Sequence, residues 1–228
     1  MSVRRILMAA AAPVVAIVFS VAISSVVLLI AGTSPLEAWM EMLSYGTRLE
    51  TLVATANRAT PLYLAGIAVA IGFRMNLFNI GVEGQYVLAA LLSASVGAAV
   101  DLPAALHVAL IMLVAMTVGS LFAGVAGYLK VTKGVHEVIS TIMLNAIALA
   151  AVGYMLRNWL IDEADTSLNM KTPEIPPSGR FPNLNGVVET FTREITRGRE
   201  LWGFILVAAL VGVLFHLFLT RTRVGYDL

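Results

Sequence analysis

The sequence predicts an all-α protein, a polytopic transmembrane helical bundle with about six spans. Its composition is 59% hydrophobic and 13% charged, with a mean hydropathy of +0.87, whereas soluble domains carry about 25% charged residues. The net charge of +1 provides no field that would attract nucleic acid. The absence of cysteine from the 228 residues excludes disulfides, thiolate catalysis and Cys-based metal sites.

Six apolar runs are predicted to cross the membrane. The first follows Arg4 and Arg5 and is too long for a signal-peptide core. The second run is short and spans only if its helix extends towards Thr51 or past Arg74. The third is also short, and the last three have full length. In chain order the runs are residues 6–32, 62–73, 86–100, 104–129, 138–156 and 201–220.

Residues 33–61, between the first two spans, are predicted to lie outside the cell and to contain an amphipathic helix in the plane of the membrane interface. Pro61 is expected in an early helical turn, where its missing N–H costs little. The interfacial helix is predicted from apolar residues at i, i+3, i+4 and i+7, namely Leu36, Trp39, Met40 and Leu43, opposite Glu37, Glu41 and Ser44.

Basic residues predict the orientation, because Lys and Arg concentrate on the cytoplasmic side of membrane proteins. If six spans alternate, the basic residues at the span ends fall on one side, and the N-terminus is then cytoplasmic. These residues are Arg4, Arg5, Arg74, Lys130, Lys133, Arg221 and Arg223.

The predicted outer loop at residues 157–200 is rich in Pro and Gly, a composition that favours extended, irregular structure. A second short helix is expected within it, at residues 187–197. Two interpretations stay open: a plain linker, or a docking surface for an extracytoplasmic partner.

A polar, glycine-containing stretch lies between the second and third spans. A carboxylate there needs a partner, a water-filled cavity or a function, and glycines permit sharp turns or close helix contact. If the stretch is helical, Asn76, Asn79 and Glu83 share one face. We expect it to line or gate a translocation path; the alternative is a cytoplasmic turn with a tolerated surface carboxylate. The candidates are Asn76, Asn79, Gly81, Glu83, Gly84 and Gln85, with Asn145 from the fifth span.

The fifth span carries Glu137, Thr141 and Asn145 at intervals of four residues, which places them on one helix face. In a bilayer such a face points to protein or water. Thr141 is interpreted as an interhelical hydrogen-bonding residue. For Asn145, interhelical bonding and lining of the path are equally supported.

Two further groups are interpreted as structural. Gly119, Ala123 and Gly127 form a small-residue face in the fourth span, which predicts close helix packing. The three histidines lack metal-ligand spacing and are interpreted as helix-end or interhelical hydrogen-bonding residues; they are His107, His136 and His216.

Several catalytic and nucleotide-binding motifs are missing. The sequence contains no G-x-x-x-x-G-K-[ST], no H-E-x-x-H and no G-x-S-x-G. This chain is therefore not expected to be an enzyme, to bind a metal or to hold nucleotide phosphates itself.

Three segments resemble the permease subunits of ATP-binding-cassette (ABC) importers: residues 59–62 (ATPL), 72–74 (GFR) and 77–85 (LFNIGVEGQ). The similar branch is that of simple-sugar and nucleoside permeases, which is related to the branched-chain amino acid permeases. Residues 133–145 and 222–226 match the same branch.

The resemblance implies a type II-like importer permease fold in the cell membrane and a translocation path for nucleosides or simple sugars. It also implies an ABC ATPase subunit that binds ATP separately, a second permease subunit and an extracytoplasmic solute-binding protein. This chain itself would need no cofactor. The residues alone leave an alternative, an ion-coupled secondary transporter or channel that uses Glu83.

Similar permeases continue past this point, with a cytoplasmic loop that couples them to the ATPase. Residues 1–228 are therefore expected to form a single transmembrane domain that is incomplete at its C-terminus. By itself this chain is expected neither to stimulate an ATPase nor to be driven by one. Arg221, Arg223 and Asp227 would precede the coupling loop. They either anchor the helix at the lipid headgroups or also orient that loop.

Overall fold

The structure, a computed structural model, describes residues 3–162, 170–192, 199–223 and 225. The regular structure of these residues is helical, which confirms the all-α prediction. The elements are α1 (Val3–Ile30), α2 (Pro35–Thr47), α3 (Leu49–Arg74), α4 (Val82–Ala99), α5 (Ala104–Lys133), α6 (Glu137–Asn158), a short 3-10 turn at Pro177–Gly179, α7 (Asn185–Thr192) and α8 (Phe204–Arg221).

Within the described residues, five helices are long and apolar enough to cross a membrane: α4, α5, α6, α8 and the Ala11–Ile30 part of α1. Helix α3 has 26 residues and is therefore about 39 Å long, which exceeds the bilayer's hydrocarbon thickness of about 30 Å. These helices together confirm about six spans. The short run at 62–73 gains its length by extending back to Leu49, and it ends at Arg74.

Pro61 lies in the interior of α3, not in an early turn, so that expectation was wrong. The polar residues upstream contain no helix breaker, and the helix therefore starts well before the proline. Because proline has no N–H, the backbone carbonyl of Asn57 lacks its usual partner four residues on.

The described residues form two compact units, the first ending at Thr55 and the second starting at Ala56, apart from residue 199, which belongs to the first. In the first unit, Ser34 caps α2 by accepting a hydrogen bond from the backbone N–H of Glu37 at 3.4 Å. The indole N–H of Trp39 donates to Ser25 of α1 at 3.0 Å. The apolar side chains of Leu36, Met40 and Leu43 are exposed, as an interfacial helix requires.

In the second unit, α4 packs against α5 and α6. The buried residues of these three helices include the small or apolar Ala89, Leu91, Ala126 and Ala148. A Cβ on Gly97 would lie 2.7 Å from Cδ1 of Ile111, so the glycine permits the close approach of α4 and α5. Small residues at helix contacts are typical of membrane bundles.

Helices α3 and α8 run in the same direction. Asn57 bonds the backbone of Trp202 just before α8, and Tyr63, further along α3, contacts Gly212 further along α8. Arg74 and Arg221 therefore lie at the same end of the second unit. That arrangement agrees with the predicted distribution of basic residues, while the assignment of this end to the cytoplasm stays a prediction.

His107 connects three segments at the end of the second unit opposite to Arg74 and Arg221. Its fully buried ring lies with Nδ1 2.9 Å from the hydroxyl of Ser178 and Nε2 2.8 Å from the carbonyl oxygen of Gly97. It joins α4, α5 and the segment at 170–181. His136 caps α6, since its Nδ1 accepts from the N–H of Val138 at 3.3 Å. Both side chains act as predicted, as an interhelical and a helix-end residue.

Other predictions are met only in part. Helix α7 coincides with the start of the helix expected at 187–197, and residues 193–198 lie outside the described residues, as does Asp227. A Cβ at Gly119 or Gly127 would meet no described atom within 4 Å. The small-residue face with Ala123 is therefore unoccupied in the described chain and stays a prediction.

Candidate functional site

Helix α3 ends in a tight backbone cap. The N–H of Leu77 bonds the carbonyl of Gly72 at 2.8 Å, and the N–H of Asn76 bonds that of Phe73 at 3.2 Å. Asn76 has the left-handed φ of 52° that such caps need and that asparagine tolerates. A Cβ on Gly72 would lie 2.8 Å from the carbonyl oxygen of Leu77, so glycine permits the fold-back.

The face expected to hold Asn76, Asn79 and Glu83 does not form, because residues 75–81 are not helical. The cap directs the chain away from the axis of α3 before α4 starts at Val82. The conditional prediction of a helical polar face is therefore wrong.

Asn79 organises the turn into α4. Its Oδ1 accepts from the backbone N–H of Gly81 at 2.9 Å and from the side-chain amide of Gln85 at 3.2 Å. Such a bond from an asparagine side chain to the backbone two residues on mimics a backbone turn. Three of the predicted residues are thus brought together.

Asn145 of α6 holds this turn from outside. Its Nδ2 donates to the carbonyl of Ile80 at 2.8 Å, and its Oδ1 accepts from the N–H of Gly84 at 2.8 Å. We call these three residues the Asn145 clamp. The first N–H groups of a helix have no partner within it, and Gly81, the N-cap residue just before α4, offers no capping side chain. The clamp therefore caps α4 with a side chain from another helix.

Two neighbours complete the contact. The backbone N–H of Ile80 donates to the hydroxyl of Thr141 at 3.3 Å, and this threonine is 2% exposed. A Cβ on Gly84 would lie 2.7 Å from Oδ1 of Asn145 and 3.0 Å from Cβ of Ala148. Thr141 thus makes the expected interhelical bond, and Asn145 makes two.

Glu83 and Asn76 lie apart from this set. Both are exposed, and neither side chain has a hydrogen-bond or ion-pair partner among the described residues. Glu83 lies in the first turn of α4, where the helix dipole favours a negative charge.

Sequence reasoning missed the partner of Glu137. Its carboxylate lies 2.8 Å from Nζ of Lys130 and is 13% exposed. The connection between α5 and α6 turns at Gly134, whose φ of 65° is left-handed, and this turn brings the two residues together. The sequence signal that could have predicted this ion pair is Gly134, which lies between a basic helix end and an acidic helix start.

Helices long enough to span a membrane, joined by an irregular, glycine-containing connection, are compatible with a polytopic transport protein. Residues 51–228 match the family described as branched-chain amino acid transport system / permease component. The chain belongs to this family, which confirms the resemblance seen in its motifs.

Three curated relatives extend the comparison. The guanosine ABC transporter permease protein NupP of Bacillus subtilis (strain 168) is 34% identical over 218 residues, 95% of this chain and 59% of the relative. The glucose ABC transporter permease protein TsgB13 of Haloferax volcanii is 30% identical over 227 residues, 94% of this chain and 56% of the relative. The nucleoside ABC transporter permease protein NupB of Lactococcus lactis subsp. cremoris is 26% identical over 224 residues, 95% of this chain and 58% of the relative.

This chain therefore spans a little over half the length of these relatives. No solved structure matches it.

Proposed function

We propose that this chain belongs to the transmembrane permease subunit of an ATP-driven importer for nucleosides or simple sugars. The observation that carries the proposal is the family match over residues 51–228. The names of the relatives support both substrate classes, since two are nucleoside or guanosine permeases and one is a glucose permease.

The protein would not be an enzyme itself. An ABC ATPase subunit would bind and hydrolyse ATP, a second permease subunit would complete the path, and an extracytoplasmic solute-binding protein would deliver substrate. Its place would be the cell membrane, with the N-terminus in the cytoplasm. The common end of Arg74, Lys130 and Arg221 supports this orientation.

The Asn145 clamp would serve as a rigid link between two helices in this importer. Alternating access requires helices to move as units around a central path. Because Asn145 bonds both Ile80 and Gly84, displacement of α6 would carry the start of α4 with it.

The competing function, an ion-coupled carrier, would need a coupling-ion site at Glu83. This carboxylate is exposed, and no second acidic or amide side chain bonds it among the described residues. Replacing Glu83 with Gln keeps its shape and removes its charge. If Glu83 lines or gates the path, we expect the Glu83→Gln permease to assemble normally and to take up less substrate. Unchanged uptake by this variant would show that Glu83 is a solvated turn residue.

The test of the proposed function uses the full-length permease with its ATPase and binding protein, restored to cells that lack them. Uptake of labelled guanosine and glucose is measured with ATP depleted and the proton gradient intact. We expect uptake to stop. Uptake that persists under these conditions would contradict ATP-driven import and favour the secondary carrier.

A further inference from the structure

A cavity of about 770 Å³ lies between α3, α4, the segment at 172–181 and the start of α8. All of its lining residues belong to the second compact unit. Tyr86, which directly follows Gln85 of the α4 turn, lines it together with Phe181 and Trp202. Its volume falls within the range of about 300–1,000 Å³ that is typical of small-molecule sites.

The lining is rich in aromatic side chains. Tyr86, Phe181, Trp202 and Phe204 are four of its fifteen residues, whereas aromatic residues make up 8% of the chain. The rings of Phe181 and Phe204 lie edge to face, 5.5 Å apart, and the residue Tyr86 is 55% exposed. Accessible ring faces of this kind bind planar heteroaromatic rings by stacking.

Phe181, Trp202 and Phe204 form what we call the aromatic wall of the cavity, and hydrogen bonds hold it in place. The side chain of Asn57 donates to the carbonyl of Glu200 at 2.7 Å and accepts from the N–H of Trp202 at 3.1 Å. The N–H of Gly203 bonds the carbonyl of Pro182 at 2.8 Å. The position of Trp202 is thus determined by α3 and by the neighbouring segment, as a preorganised binding site requires.

The cavity also offers polar groups for a hydroxylated ligand. Thr172 contributes a hydroxyl, and the hydroxyl of Thr60, which donates to the carbonyl of Ala56 at 2.9 Å, can still accept a hydrogen bond. The backbone carbonyl of Asn57 lacks a helical partner because of Pro61, and both residues line the cavity.

The charges of the lining cancel. Glu174 and Arg180 are its charged residues, and Nη2 of Arg180 lies 3.0 Å from the carboxylate of Glu174. The Nζ of Lys171 lies 3.7 Å from Oε1 of Glu174. Among the described lining residues, no cationic side chain is therefore left free to bind a phosphate, and the cavity suits an uncharged ligand.

We propose that this cavity binds an uncharged nucleoside during transport, with the base stacked on Tyr86 and the aromatic wall and the ribose hydroxyls on the polar groups. The inference rests on the proposed function and narrows its substrate class from nucleosides or sugars to nucleosides. It also places the ligand against the first turns of α4, next to the Asn145 clamp.

The test compares Tyr86→Leu with Tyr86→Phe in the full-length permease with its partner subunits. The matched control is Tyr128→Leu, which replaces a tyrosine of α5 that is 62% exposed and is not among the residues lining the cavity. Uptake kinetics are measured with labelled guanosine, and glucose and guanosine monophosphate serve as competitors.

We expect Tyr86→Leu to raise the KM for guanosine by roughly 5- to 150-fold, the range that loss of base stacking gives. Tyr86→Phe and Tyr128→Leu should keep the wild-type KM, and neither competitor should reduce uptake. An unchanged KM in Tyr86→Leu would overturn the cavity proposal and leave the importer standing, and competition by guanosine monophosphate would also contradict it.

Binding of labelled guanosine to the purified full-length permease separates the two proposals. If wild type binds guanosine, Tyr86→Leu does not, and no ATP-driven uptake is found, the cavity is supported and the importer function fails. If Tyr86→Leu binds guanosine as wild type does, as it would where other parts of the full-length chain fill the cavity, the inference is overturned.

Discussion

At the scale of single residues, the contact between Gly84 and Asn145 shows how a glycine creates a site. The amide oxygen of Asn145 occupies the space that a side chain at position 84 would need, so both bonds of the clamp depend on glycine there. The spacing of Thr141 and Asn145 predicted their shared face correctly. Their partner could not be predicted, because the left-handed Asn76 that directs residues 75–81 depends on cap bonds formed by the folded chain.

Gly84→Ala is expected to destabilise the protein by about 1–3 kcal/mol, because the new Cβ overpacks the contact with Asn145 and Ala148. The thermal stability of the purified full-length permease in detergent measures this. Gly153→Ala in α6 is the matched control, since its Cβ would meet no described atom within 4 Å. Equal stability of the two variants would show that the close contact is absent from the protein.

Asn145→Ala is expected to cost about 1–3 kcal/mol, the penalty for leaving the N–H of Gly84 and the carbonyl of Ile80 without partners. Uptake should fall with stability. Asn158→Ala removes an amide that bonds only within its own helix and should behave as wild type. If Asn145→Ala keeps wild-type stability, the clamp does not hold α4.

At the scale of elements, the helices were largely predictable and the connections were not. Apolar length predicted α5, α6 and α8 closely, because a bilayer imposes the length of a span. The interior position of Pro61 was not predicted. An early helical turn accommodates proline most simply and was therefore expected, but a membrane helix also tolerates proline in its interior. The cavity was not predictable at all, because its walls come from four separate parts of the chain.

His107→Ala is expected to loosen the segment at 170–181, because it removes the side chain that joins Gly97 to Ser178. Hydrogen exchange of the backbone amides at 172–181 should accelerate, while amides in α6 exchange as before. His136→Ala, which removes an exposed cap at the other end of the second unit, is the control. Unchanged exchange at 172–181 would show that other contacts hold the segment.

At the scale of the whole molecule, the alternation of spans predicts where each connection lies. A reporter fused at Pro177 should be active outside the cell, and one fused after Leu228 should be active in the cytoplasm. The reason is the positive-inside distribution of Arg74, Lys130 and Lys133. Alkaline phosphatase and green fluorescent protein fusions measure the two sides, and the reverse pattern would refute the orientation.

The shared space of Gly84 and Asn145 also constrains how this protein evolves. A larger residue at position 84 becomes acceptable only after position 145 has lost its amide, and that loss removes the bonds that made the pair useful. Substitutions at the two positions are therefore strongly non-additive, as expected for residues in direct contact. Sequence change here has to proceed through a paired replacement, whereas a Cβ at Gly119 or Gly127 would meet no described atom within 4 Å and so involves no such pair within the described residues.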